Sequence, residues 1–178
     1  VTVLRSLPFP FAVPVLIVLH IGKPFGTAFA DWLDGQTRHP VSFAVGGESL
    51  ARAAGRVILA PPDEHLVVQQ GTLALTRTPE RHSCRPSVDV LFESLARDHG
   101  ANCAAALLTG MGRDGATGLL ALRRAGGATL AQDEATSVIF GMPREAVLLG
   151  GADRVLPLGD IGPALAALAG VSSPETRS

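Results

Sequence analysis

The stretch Ala104-Ala-Ala-Leu-Leu-Thr-Gly-Met-Gly-Arg-Asp-Gly-Ala-Thr-Gly-Leu-Leu-Ala-Leu-Arg-Arg124 decides the fold. Its first five residues, 104–108, form an apolar run too short for a typical helix and closed by glycine. Such a run reads as a buried strand. Gly110, Gly112 and Gly115 follow, and then Leu119, Leu120 and Leu122 recur at helical spacing. That helix ends on Arg123 and Arg124, cations suited to its negative C-terminal end. Gly126-Gly127 stops it, and residues 128–131 are the next strand. Strand, glycine loop, helix and strand make the repeating unit of a parallel sheet. The loop then lies at the sheet's C-terminal edge, where ligands and catalytic groups gather. Asp114 stands in that loop, at the helix entrance.

Three roles are open to the loop. Gly110-Met-Gly-Arg-Asp-Gly115 satisfies G-x-G-x-x-G, and Asp133 follows near the end of the next strand. In a dinucleotide-binding oxidoreductase a ribose-binding carboxylate stands there, roughly 20 residues on. Alternatively, Asp114 is a catalytic carboxylate that orients a histidine. The third role is structural: Asp114 caps the helix, at about 1 kcal/mol.

Composition narrows the class. The chain has 178 residues, enough for one domain with a substantial core. With 47% hydrophobic and 17% charged residues it is globular, not disordered. A formal net charge of −1 offers no electrostatic footprint for nucleic acid or an anionic membrane, so neither is an expected partner. Cys84 and Cys103 form no CxxC and no His/Cys cluster at metal-ligand spacing. No metal or cofactor is expected, and a reduced, cytoplasmic protein is the simplest account. Residues 9–21 are apolar, and Ala28-Phe29-Ala30 imitates a signal-peptidase site. The run is too short to span a bilayer, and Pro10 and Pro14 interrupt it. The sequence opens on Val1 rather than Met, as a piece of a longer chain would.

Along the chain, residues 1–8 read as the end of a helix, and 13–19 as a β-branched strand buried on both faces. A helix over 25–33 places Phe25, Phe29, Trp32 and Leu33 on one face. Strands follow at 40–45 and 56–60, then a hairpin of 65–69 and 72–77 around Gln70-Gly71. Residues 78–86 form a polar loop; Ser87 caps a helix over 88–99, and Gly100 ends it. Beyond the central unit come a short strand at 138–140, a helix from Pro143 to Leu149, a strand at 155–158 and a helix at 161–168. The domain is expected over 1–170, with 171–178 as a tail. This alternation predicts a three-layer, doubly wound α/β fold with a mainly parallel sheet and an antiparallel hairpin.

His20 is the informative partner for Asp114. Both follow apolar strands, and in a parallel sheet the ends of such strands share one edge. A carboxylate on an imidazole fixes its tautomer and stabilises its protonated form, two-thirds of a hydrolase triad. His39, His65, His82 and His99 lie in loops, turns or helix ends and carry no comparable signal.

Five blocks in order resemble the catalytic domain of the chemotaxis receptor methylesterases, the CheB type. They are Pro14-Val-Leu-Ile-Val-Leu-His20, Leu59-Ala-Pro-Pro-Asp-Glu-His-Leu66, Arg85-Pro-Ser-Val-Asp-Val-Leu-Phe92 and Leu108-Thr-Gly-Met-Gly-Arg-Asp-Gly115. The fifth runs from Ala131-Gln-Asp-Glu-Ala to Phe140-Gly-Met-Pro-Arg-Glu145. The resemblance implies hydrolysis of glutamate methyl esters on methyl-accepting chemoreceptors, and in many members deamidation of glutamines. It implies His20 as general base, Asp114 as its orienting carboxylate and the backbone N–H of Met111 in the oxyanion hole. It suggests Arg85 as a substrate contact and Gln132 and Asp133 at the rim. Cys84 stands where many relatives carry histidine. The family's serine lies in a Gly-Ala-Ser-Thr-Gly-Gly-like turn after a first strand, and neither that strand nor that turn is in this sequence. No receiver domain is expected in it either. The chain as given is therefore expected to be weak or inactive, unless it is a relative that only binds receptors.

Overall fold

The computed structural model describes residues 1–170. Its first half runs α1 (Thr2–Ser6), β1 (Val15–Ile17), α2 (Lys23–Asp34), β2 (Val41–Phe43), β3 (Val57–Leu59), β4 (His65–Gln69) and β5 (Thr72–Thr76). Then come α3 (Val88–Asp98), β6 (Ala104–Leu107), α4 (Ala116–Arg124), β7 (Ala128–Gln132), α5 (Met142–Leu148), β8 (Arg154–Leu156) and α6 (Leu158–Leu168). A 3-10 turn, Gly100–Asn102, links α3 to β6.

The fold is α/β. β1, β3 and β2 form one parallel sheet in that order, and β6, β7 and β8 form another. β4 and β5 form an antiparallel hairpin. Its turn residues Gln70 and Gly71 have φ of 51° and 70°, the left-handed pair that a tight two-residue hairpin requires. The parallel strands are thus divided between two sheets, with β1 and β6 each at an edge.

Helices cover both faces of the strands, and side-chain alternation sorts the core between them. Ile58, Ala60, Ala105 and Leu107 face a cluster built with Leu66 and Leu73 of the hairpin, Leu91 and Phe92 of α3, and Leu119 and Leu122 of α4. The intervening Val57 and Leu59 face Leu4, Ala30 and Leu33 on α1 and α2. Ala106 and Leu108 pack instead with Leu130 of β7 and with Ile161 and Ala164 of α6. These are the expected three layers.

Several boundaries and faces differ from expectation. β1 is shorter than the run 13–19 and half-buried, with β3 as its partner among the described residues. On α2 the inward face runs through Gly26, Ala30 and Leu33; Phe25 and Trp32 are exposed. A side chain at Gly26 would meet Pro62, which sets how closely this helix packs. Residues 138–140 make a single bridge, Gly110 to Phe140, and no strand. α6 starts at Leu158 instead of residue 161. The expected tail, 171–178, lies outside the described residues. Among those residues no helix is long and apolar enough to cross a membrane.

Candidate active site

Gly115 has φ of 90°, and a Cβ there would lie 2.6 Å from Leu107 Cδ1 and 2.8 Å from Val88 Cγ1. Only glycine both adopts this backbone and fits this gap. The resulting turn sets Asp114, 2% exposed, against the N-terminus of α3 rather than that of its own helix. Its Oδ1 accepts from Ser87 Oγ at 2.6 Å and from the Asp89 N–H at 3.2 Å. Its Oδ2 accepts from the Val88 N–H at 2.7 Å and lies 2.8 Å from His20 Nε2. Asp114 therefore caps α3, which corrects the expectation that it caps the helix it precedes. Asp89, fully buried, returns the arrangement: its Oδ1 accepts from the Gly118 N–H in the first turn of α4 at 2.6 Å. The two helices are capped crosswise.

Burial works to raise the Asp114 pKa. Hydrogen bonds from His20, Ser87 and the N–H groups of Val88 and Asp89 outweigh it and hold the carboxyl below its ordinary value. The group is ionised at neutral pH. An ionised carboxylate only accepts, so His20 Nε2 carries the proton and Nδ1 presents the lone pair. The His20 side chain is 30% exposed, so reactants can reach it. His20 and Asp114, paired on sequence position, meet in the structure.

Met111 is 78% exposed. Its loop is pinned on either side, by Gly110 N–H to Ile139 O at 3.1 Å and Met142 N–H to Gly110 O at 2.8 Å. The Met111 N–H itself has no acceptor among the described residues. Arg85 is engaged elsewhere: Nε and Nη2 donate to Asp63 Oδ1 at 3.0 and 2.6 Å, and Nη1 to Thr78 O at 3.3 Å. Gln132, expected at the rim, is fully buried. It accepts from the Thr109 N–H and donates to Thr136 O, each at 2.8 Å, tying the glycine loop to the loop after β7.

The dinucleotide reading is not favoured. A phosphate docks on the free N–H groups of a helix's first turn. Here the Gly118 N–H already donates to the Asp89 carboxylate, a fixed negative charge. Asp133, the candidate ribose ligand, accepts from Thr136 N and Thr136 Oγ1 in a local turn.

Sequence reasoning missed the support around this pair. Ser87 was read as a cap for α3, and its Oγ does accept from the Val90 N–H, at 3.4 Å. Its stronger bond is the one to Asp114. His65, fully buried, accepts from the Ser87 N–H at Nδ1 (3.1 Å) and so donates from Nε2 to Pro79 O at 3.2 Å. The one available signal was Asp89 itself, a carboxylate three residues before Phe92 among the mainly apolar buried positions of α3. Donor atoms of His20, Cys84 and Asp114 also lie within 4.8 Å of one another. They come from three separate segments, so no sequence spacing could have revealed them. Burial, and then the charges of Asp114 and Glu80, raise the Cys84 pKa. Burial pushes that of Cys103 up to about 11.

The molecule is thus a parallel α/β domain built around a buried, ionised carboxylate and a reachable imidazole at the strand ends. The chain belongs to the CheB methylesterase family, whose model matches residues 1–165. It is 50% identical over 163 residues to protein-glutamate methylesterase/protein-glutamine glutaminase 2 of Anaeromyxobacter dehalogenans, covering 92% of this chain and 47% of that protein. A protein of the same name from Pseudomonas aeruginosa is 52% identical over 155 residues, 85% of this chain and 44% of its own length. The chain spans about half the length of these curated relatives. The crystal structure of the Thermotoga maritima CheB methylesterase catalytic domain superposes with a TM-score of 0.86 at 33% identity, covering 94% of this chain and 90% of that one.

Proposed function

We propose that residues 1–170 are the catalytic domain of a cytoplasmic protein-glutamate methylesterase acting on methyl-accepting chemoreceptors, with His20 as general base and Asp114 as the carboxylate that orients it. The observation that carries this reading is the 2.8 Å pair between His20 Nε2 and a buried, four-fold hydrogen-bonded Asp114. A serine hydroxyl gives its proton to His20 Nδ1 and attacks the ester carbonyl. The oxyanion settles on the Met111 N–H, and its collapse expels methanol, protonated by His20. Water, deprotonated by the same nitrogen, then hydrolyses the glutamyl-enzyme to leave glutamate. A glutamine side chain follows the same course and releases ammonia. Arg85 braces the Cys84 loop against Asp63 and adds positive charge toward an acidic receptor surface.

In this proposal the serine comes from chain outside the present sequence, on a parallel strand seated between β1 and β6. Both are edge strands, and Leu16 and Val18 pack on the same apolar cluster as Ala105 and Leu107. Such open apolar edges call for a partner strand. Reduced Cys84 and Cys103 suit the cytoplasm.

The test is methanol release from methylated receptor membranes by a protein that carries the upstream strand and serine. Residues 1–178 alone should release little, and His20→Ala should abolish turnover in the longer protein. Undiminished release by the His20→Ala protein would sink the proposal.

A further inference from the structure

We infer that His20, Cys84 and Asp114 form a binding site for a thiophilic divalent cation, Zn2+ above all, and that the ion switches off the proposed base. The three residues follow β1, lie in the loop between β5 and α3, and follow β6, respectively, and converge at one sheet edge. Zinc bonds of about 2.0–2.3 Å put tetrahedral ligand atoms about 3.3–3.8 Å apart. The existing separations are all within 4.8 Å, close enough for small side-chain shifts to reach that spacing. The 2.8 Å His20–Asp114 pair has to open slightly while the sulfur closes in, and the ion takes the place of the shared proton.

The surroundings fit a metal better than a chance cluster would. Asp114 is already held by Ser87 Oγ and two backbone N–H groups, the outer hydrogen bonds that orient a ligating carboxylate. The Cys84 backbone is fixed by paired bonds to Arg81, at 2.9 and 3.1 Å, and its thiol, which now donates to His82 O at 3.4 Å, gives up that proton on binding the ion. The His20 side chain is 30% exposed, so an ion can reach it from solvent. A thiolate and a carboxylate neutralise the ion's two charges. The sulfur selects zinc over Mg2+ and Ca2+, which prefer oxygen. Binding stands on the cluster alone; its inhibitory consequence rests on the hydrolase proposal.

Co2+ added to the metal-stripped, serine-bearing protein should give a thiolate-to-cobalt charge-transfer band that one equivalent of Zn2+ removes. Cys84→Ser should abolish the band and weaken Zn2+ by at least about 100-fold, more than loss of an outer partner costs a metal site. Cys103→Ser should keep both, and excess Mg2+ should not compete. No band, a band lost with Cys103 instead, or equal Zn2+ affinity in the Cys84→Ser protein would overturn the site. In the serine-bearing protein Zn2+ should stop methanol release, and Cys84→Ser should blunt that inhibition by the same factor. An inactive protein that still shows the band defeats only the hydrolase proposal; an active protein without it defeats only the metal site.

Discussion

The entrances of α3 and α4 make a matched pair with opposite chemistry. Each is capped by a buried carboxylate from the other side, Asp114 on α3 and Asp89 on α4. Asp114 collects four donors and is held below its ordinary pKa. For Asp89, burial is the largest influence; the Gly118 N–H, Arg81 and His82 do not offset it, and its pKa is raised, helped by the charge of Asp114. Depth does not separate them, since both are buried. The number and quality of donors does. A carboxylate with a full shell of donors stays charged when buried, while one with a thinner shell is pushed toward its neutral form.

The largest effect that tests this contrast belongs to Asp114→Asn in the serine-bearing protein. An amide in place of the carboxylate favours the wrong imidazole tautomer, and kcat should fall about 10⁴-fold if the penalty known for serine proteases transfers. Stability should fall as well. Oδ1 faces the Asp89 N–H and Oδ2 faces the Val88 N–H, so the new NH2 opposes a backbone donor in either orientation. A buried donor left without its acceptor costs about 1–3 kcal/mol. Thermal melting and methanol release on the same samples check both. Near-normal turnover would reduce Asp114 to a helix cap.

Why the pair was legible and its shell was not follows from what each depends on. His20 and Asp114 stand directly after apolar runs, and a parallel sheet brings the ends of such runs to one edge. The glycines around Asp114 marked the turn. The crosswise caps depend on α3 and α4 packing side by side, a tertiary fact that no local pattern states. Cys84 likewise reaches the site only because the loop after the hairpin folds back to it. The bounds of the strand at 13–19 were overread for a related reason: an apolar run reports how much a strand could bury, while among the described residues pairing with β3 holds only Val15–Ile17 in β1.

The next effect separates structure from catalysis. Asp89→Ala leaves the Gly118 N–H without its acceptor and takes the carboxylate from beside His82, while Arg81 keeps its closer pair with Glu93. Unfolding free energy from urea titration should drop by about 1–3 kcal/mol, the cost of a buried donor left without its acceptor. The backbone N–H of residue 89 still reaches Asp114, so kcat should change by less than about tenfold, far below the tautomer penalty. A loss of activity as deep as that of Asp114→Asn would mean that the two caps are not separable.

The smallest effect is a change of slope with pH. Asp114 has a folded pKa below its unfolded one, so its contribution to stability is present above the ordinary carboxylate value and is lost as pH falls through the folded pKa. Asp98 and Asp153, also lowered, act in the same direction. Asp89 runs the other way. Its folded pKa lies above the unfolded one, so its contribution is fully present below the ordinary value and is lost as pH rises through the raised one. The windows adjoin without overlapping: stability climbs with pH up to the ordinary carboxylate range as Asp114, Asp98 and Asp153 ionise, and Asp89 pulls it back down above that range. Asp89→Asn, which cannot ionise, should remove that descending limb and leave the acid limb in place. Urea unfolding at a series of pH values measures both limbs. If the descending limb survives in the Asp89→Asn protein, Asp89 is ionised as readily as Asp114, and the contrast between the two helix entrances fails.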